Sequence, residues 1–278
     1  MKTWFITGTS GGFGYMLTKL LLERGDRVAA TARQIHKLDD LKETYGDQLW
    51  THSLDVTNVQ AIHQVVKKAF EDLGEIHVVV NNAGYGLFGA VEEVSDEQIT
   101  HQVNTNVIGS IQVIRASLPY LRKQGGGRIL QLSSSAGQTG LPGISLYNTS
   151  KWAIEGFIES LVQEVAPFNI QATLIEPGSA KTNFSGSSLV IAAPKKEYEE
   201  TAVGYMRNMT SENDRLTPGD PMKMVQAMVS TADADIAPLR VTLGSDAYNA
   251  IHKSLTERIK LLESQKELAQ STDFINKA

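Results

Sequence analysis

Short runs of apolar and β-branched residues recur along this chain, separated by longer stretches whose apolar positions return every three to four residues. Seven such runs, at residues 3–7, 27–31, 49–54, 76–81, 127–132, 170–176 and 239–243, predict strands. Between the first six, residues 13–24, 35–45, 59–73, 96–121 and 147–166 predict amphipathic helices. Strands that alternate with helices join through right-handed crossovers, so the expected class is α/β, a doubly wound parallel sheet with helices on both faces. The rhythm breaks between the sixth and seventh strands. There, residues 182–218 form a polar and then charged insertion at the carboxyl end of the sheet, where it can cover a ligand. Residues 246–268 predict a closing helix, and no Pro/Gly/Ser-rich linker or repeat divides residues 1–278, so one domain is expected.

Composition acts mainly by exclusion. The 26 basic residues form no stripe and are outnumbered by 31 acidic ones, which argues against a nucleic-acid partner. The chain has no cysteine, which removes disulfides, thiolate metal sites and cysteine nucleophiles and fits a reducing compartment, with the cytoplasm as the expected location. The first apolar run ends in Gly, Ser and Thr after a few residues, too short for a signal peptide, so Met1 is expected to open the fold itself. No later run reaches the roughly 18 apolar residues of a spanning helix, so no membrane partner is expected. The histidines at 36, 52, 63, 77, 101 and 252 lack metal-ligand spacing, and SGSSL at 185–189 follows no strand as a nucleophile elbow would.

The segment WFITGTSGGFGYMLTKLLL reads as strand, glycine turn and helix. Gly8, Gly12 and Gly14 depart from G-x-G-x-x-G but follow the same physical logic: backbone without side chains approaches a pyrophosphate, and the helix that follows offers free N–H groups. Thr9 and Ser10 can add donors, and Phe13 completes the loop. The second strand ends Thr31-Ala32-Arg33 without the acid that would take a ribose 2′-hydroxyl; Asp26 precedes the strand and Asp39 lies well beyond it. Arg33 suits a 2′-phosphate instead, so NADP(H) is expected in preference to NAD(H).

TGTSGGFG at 7–14, LDV at 54–56, NNAG at 81–84, NTNVIG at 104–109, LSSSAG at 132–137, YNTSK at 147–151 and EPGSAKT at 176–182 together resemble the short-chain dehydrogenase/reductase family, nearly throughout up to about residue 245. The resemblance implies a single Rossmann-like domain with a seven-stranded parallel sheet. It also implies that Asp55 and Val56 meet adenine, that Asn82, Ala83 and Gly84 approach the adenosine ribose, and that Pro177 and Gly178 shape a turn whose Thr182 binds the nicotinamide carboxamide. Four residues would be catalytic. Tyr147 and Lys151, one helical turn apart, share a face, and a nearby ammonium favours ionisation of a phenol that otherwise titrates near pH 10. Tyr147 is thus the expected general acid and base, and the resemblance adds that Lys151 holds the nicotinamide ribose. Among Ser133, Ser134 and Ser135 the resemblance selects Ser134 to bond the substrate oxygen, with both neighbours turned the other way by strand alternation. Asn106 would hold a water leading to Lys151.

The expectation is therefore an NADP(H)-dependent oxidoreductase interconverting a small-molecule ketone or aldehyde with an alcohol; the alternative is a non-catalytic protein that senses cofactor or binds a partner on the same fold. Phe184, Leu189, Val190, Ile191, Tyr198, Tyr205 and Met206 in the insertion point to a largely apolar substrate. By analogy with relatives, a homodimer or homotetramer is expected.

Overall fold

The structure, a computed structural model, describes residues 1–181, 188–212 and 217–274. Strands β1 (Thr3–Thr7), β2 (Arg27–Ala32), β3 (Leu49–Ser53), β4 (Val78–Asn81), β6 (Gly127–Leu132), β7 (Ile170–Pro177) and β9 (Arg240–Leu243) form one sheet in the order β3-β2-β1-β4-β6-β7-β9, every pair parallel. Two short strands, β5 (Gly86–Phe88) and β8 (Leu189–Ile191), pair separately.

The alternation of side chains along each strand sorts the core into two layers. Phe5, Ala29, Val79, Ile129 and Leu174 point to one face and pack with residues of α3 (Val59–Leu73), α5 (Ser110–Lys123) and α6 (Ser145–Val165). Trp4, Ile6, Val28, Ala30, Val78, Val80, Leu130 and Ile175 point to the other, against α1 (Gly12–Glu23), α2 (Asp39–Tyr45) and α8 (Pro221–Asp233). Near-continuous apolar strands are what a sheet buried on both faces requires. From β1 the chain crosses one way to β2 and later the other way to β4, which opens a crevice at the carboxyl ends of β1 and β4, where open α/β sheets place ligands.

Four departures from the sequence reading stand out. The helix expected over 96–121 is α4 (Asp96–Val103), a π-helical segment (Asn104–Gly109) and then α5. Helix α8 was not foreseen, although Asp220 caps it by accepting from Met222 N at 2.9 Å and Pro221 occupies its first position. The short pair β5 and β8 gave no periodic signal. The closing helix divides at Gln265 into α9 (Ser245–Ser264) and α10 (Lys266–Ser271). Within the insertion, α7 (Ala202–Glu212) follows β8.

Candidate active site

The glycine loop forms where β1 meets α1. Gly8 adopts φ 72°, and a methyl there would lie 2.8 Å from Ala83 Cα; a methyl on Gly14 would collide with Gly8 O and reach Asn82 Nδ2 at 2.5 Å. The loop and the NNAG segment are thus pressed together. Asn82 Nδ2 donates to Thr7 O and Gly8 O, both at 2.9 Å, while Thr7 Oγ1 accepts from Asn82 N and Ala83 N, both at 3.1 Å. Helix α1 has no side-chain cap and no acid in its first turn, so its leading N–H groups stay available to an anion. Those features fit a nucleotide pyrophosphate. One expected donor is corrected: Thr9 N and Oγ1 both turn onto Thr31 O at 3.1 Å, so Thr9 shapes the loop instead of lining it. Ser10 and Gly12 remain in the loop, and Phe13 packs back onto the α1 layer of the core.

Along the rim, Arg33 is exposed just past β2, and Asp55 follows β3. Asp55 Oδ1 accepts from Thr57 N at 2.9 Å and Thr57 Oγ1 at 2.7 Å. Burial works to raise the Asp55 carboxyl, but the Thr57 bonds and the Arg33 charge outweigh it and hold the group below its ordinary value. Arg33 and Asp55 thus share one end of the crevice, with Val56 buried behind them. Asp26 is at the other end of the strands, where it accepts from Trp4 Nε1 at 3.0 Å and Lys2 N at 2.8 Å.

Tyr147 and Lys151 face inward from α6, 9 % and 8 % exposed. Ser134, two residues past the end of β6, caps a short turn of 3₁₀ helix, and its hydroxyl hydrogen-bonds the Tyr147 phenol. Ser133 is turned away toward Glu155, so Ser134 is the one of the three serines set against the phenol. Lys151 Nζ lies 5.6 Å from the centre of the Tyr147 ring and donates to Leu132 O at 2.9 Å. Burial pushes the phenol up to about 12, against the bond from Ser134, and pushes the ammonium down to about 8, against the charge of Glu155.

Asn106 sits in the π-helical segment, and its side chain is committed: Oδ1 accepts from Tyr85 N at 3.1 Å, and Nδ2 donates to Tyr85 O at 2.9 Å and Ser150 Oγ at 3.1 Å. Ser150 Oγ in turn donates to Tyr147 O at 2.8 Å, so Asn106 fastens α6 to the chain just after Gly84. On the far side Pro177 ends β7, Gly178 N donates to Leu243 O at 2.8 Å, and Ser179 N donates to Asp246 Oδ2 at 2.7 Å. Thr182 and Phe184 lie outside the described residues. Of the expected apolar cover, Val190, Ile191 and Tyr205 are exposed.

Several site-building residues escaped the sequence reading. Asn148 Nδ2 donates to Ala136 O and Thr139 O, both at 2.7 Å, and so holds the turn after Ser134. Tyr85, whose hydroxyl meets His101 Nδ1 at 2.9 Å, carries both backbone groups that Asn106 binds. The available signal was a polar residue on the buried face of a helix, as with Asn148 and Glu155 on α6.

The family described as short chain dehydrogenase matches residues 2–189. Oxidoreductase BOA17 of Botryotinia fuckeliana is 38% identical over 254 residues, which cover 91% of this chain and 92% of that protein. The crystal structure of a short-chain dehydrogenase from Streptomyces avermitilis superposes with a TM-score of 0.91 at 34% identity, covering 98% of this chain and 100% of that one. An alcohol dehydrogenase from the archaeon Thermococcus sibiricus, complexed with 5-hydroxy-NADP, superposes with a TM-score of 0.71 at 26% identity, over 87% and 96% of the two chains.

Proposed function

Since the chain belongs to the short-chain dehydrogenase/reductase family, we propose that it is an NADP(H)-dependent enzyme interconverting a ketone or aldehyde with an alcohol, with Tyr147 as general acid and base. The observation that carries the reading is the buried cluster itself: a phenol bonded to the Ser134 hydroxyl with the Lys151 ammonium 5.6 Å from its ring centre. NADPH, when bound, supplies hydride from nicotinamide C4.

The residues of the chain supply the rest. Burial keeps the Tyr147 phenol protonated but makes it a weak acid, so its donation to a carbonyl under reduction depends on the groups that stabilise the phenolate. The Ser134 hydroxyl stabilises the negative charge that develops on the substrate oxygen, and the Lys151 ammonium favours the phenolate left behind. In the oxidation direction the same two groups ease deprotonation of Tyr147 before it takes the alcohol proton. Gly8, Ser10, Gly12 and Gly14, with the open N-terminus of α1, would hold the pyrophosphate, Asn82, Ala83 and Gly84 the adenosine ribose, and Asp55 with Val56 the adenine. Arg33 would pair with the 2′-phosphate, which favours NADP(H) over NAD(H). Pro177, Gly178 and Thr182 would approach the carboxamide, and Asn106 supports the site through Ser150 and Tyr85. The substrate is an apolar carbonyl or alcohol compound, the setting is cytoplasmic, and the enzyme acts as a homodimer or homotetramer.

Tyr147→Phe tests the reading. It is expected to bind NADPH with unchanged affinity and to lose about 10²–10⁴-fold in kcat on any carbonyl compound that the natural protein reduces. Full turnover by this variant would overturn the assignment.

A further inference from the structure

One turn beyond Lys151 on α6, Glu155 enters the protein interior and meets Glu176 of β7, the two carboxylates being 4 % and 1 % exposed. Gln138 Nε2 donates to both at 3.2 Å. Arg240 of β9 bonds Glu155 Oε2 through Nε at 2.8 Å, lies 3.4 Å from Glu176 Oε1 and reaches Glu159 Oε1 at 2.6 Å. Thr242 Oγ1 donates to Glu176 Oε2 at 2.8 Å. Three carboxylates thus converge on one guanidinium, and burial, with the Glu176 charge, raises the Glu155 carboxyl above its ordinary value. Two buried like charges cost stability that an apolar pair would not, so their presence calls for a compensating use.

Two links lead from this cluster to the catalytic group. Glu155 acts on the Lys151 charge along the same helix face. It also faces Ser133, the residue before Ser134, and a methyl placed on Gly137 would lie 2.7 Å from Ser133 Oγ and 3.0 Å from Glu155 Oε1. From outside, Ser254 Oγ of α9 donates to Gln138 O at 2.7 Å and Arg258 to Gln138 Oε1 at 3.3 Å.

On the reading that Lys151 serves the reaction, we propose that Glu155 is a positioning residue, a buried carboxylate one turn from Lys151 that keeps it an ammonium and that, through the Gln138 it shares with Glu176, ties the Ser134 turn to α9. Burial lowers the ammonium to about 8, and Glu155 opposes that shift, so Glu155 decides how much of Lys151 stays charged near neutral pH. The groups facing Glu155 are Lys151 and Glu159 on α6, Ser133 after β6, Gln138, Glu176 on β7 and Arg240 on β9; Arg258 enters through Gln138.

The test is a titration of Lys151 itself, by NMR of full-length protein labelled with ¹³C,¹⁵N-lysine, with the signal assigned by its absence in K151R. In E155Q the midpoint is expected to fall by roughly half to one pH unit. If a carbonyl substrate is in hand, the alkaline limb of kcat/KM for reduction moves down with it: activity at pH 8 falls about 2- to 6-fold, while activity at pH 6 changes less than about 2-fold. R240Q removes the competing cation and is expected to move the midpoint upward, a change of sign that a purely structural role would not give. An unmoved midpoint in whichever variant folds overturns the proposal, as does failure of both to fold. Because the titration needs no turnover, a shifted midpoint without carbonyl reduction would separate this proposal from the functional reading.

Discussion

At Lys151 the physics of a single buried amine shows what the site costs. In an unfolded chain its ammonium titrates at about 10.4, and burial brings it down to about 8. Below pH 8 both states carry the proton, and the folded state bears the whole penalty, about 3 kcal/mol at 1.36 kcal/mol per pH unit. Between pH 8 and 10.5 the unfolded chain binds more protons, so this group's contribution to stability rises with pH through that window. Lys151→Met removes the charge while leaving Leu132 O its bond from Gln131 Nε2 at 3.2 Å. The variant is therefore expected to be more stable than the natural protein by about 1–2 kcal/mol at pH 7 in urea unfolding, and to turn over poorly. Lower stability would mean that the surroundings of Lys151 compensate its charge fully. The Tyr147 phenol has no such window near neutral pH, because its shift is upward from 10.

Among the elements, those that carry the sheet were legible because strands buried on both faces read as short apolar, β-branched runs, and period 3.6 marks the helices between them. What escaped was set by contacts distant in sequence. The π-helical turn at Asn104–Gly109 interrupts a stretch whose apolar spacing reads as one helix, and its cause lies elsewhere: a methyl on Gly109 would meet Val56 O at 2.7 Å, and Asn106 must reach Tyr85 and Ser150. The parallel sheet covered on both faces was implied by alternation; the order of its strands was not, nor that Thr9 would spend its donors on Thr31 O, since that choice depends on where β2 ends. The insertion is held by an ion pair no spacing could foretell. Glu93 accepts from Ala90 N at 2.7 Å, from Lys195 N at 2.8 Å and from Arg207 at 2.5 Å, and Arg207 also lies 5.7 Å from the centre of the Phe88 ring. Arg207→Ala removes the one contact of the three that reaches α7. It is expected to raise the rate of limited proteolysis within residues 193–212 severalfold while β5 and the main sheet stay resistant, as read by mass spectrometry of the fragments. An unchanged cleavage pattern would mean that α7 is held by other contacts.

For the molecule as a whole, the crevice lies where two halves of the sheet meet along the parallel pair β1 and β4, with Asn82 Nδ2 donating to Thr7 O and Gly8 O and Thr7 Oγ1 accepting from Asn82 N and Ala83 N across that line. A nucleotide bound across that line adds contacts to both halves, and only in the folded state, so it must stabilise the whole by mass action. At 100 times its dissociation constant the gain is about 2.7 kcal/mol, which for a chain of this size corresponds to a rise in melting temperature of roughly 5 °C. With Arg33 paired to the 2′-phosphate, the size of that rise depends on that group. At equal millimolar concentrations NADP⁺ is expected to raise the melting temperature more than NAD⁺ in scanning calorimetry, and Arg33→Asp to reduce the NADP⁺ effect while sparing that of NAD⁺. Equal rises in the natural protein would remove Arg33 from the phosphate, and no rise with either nucleotide would remove the cofactor from the crevice.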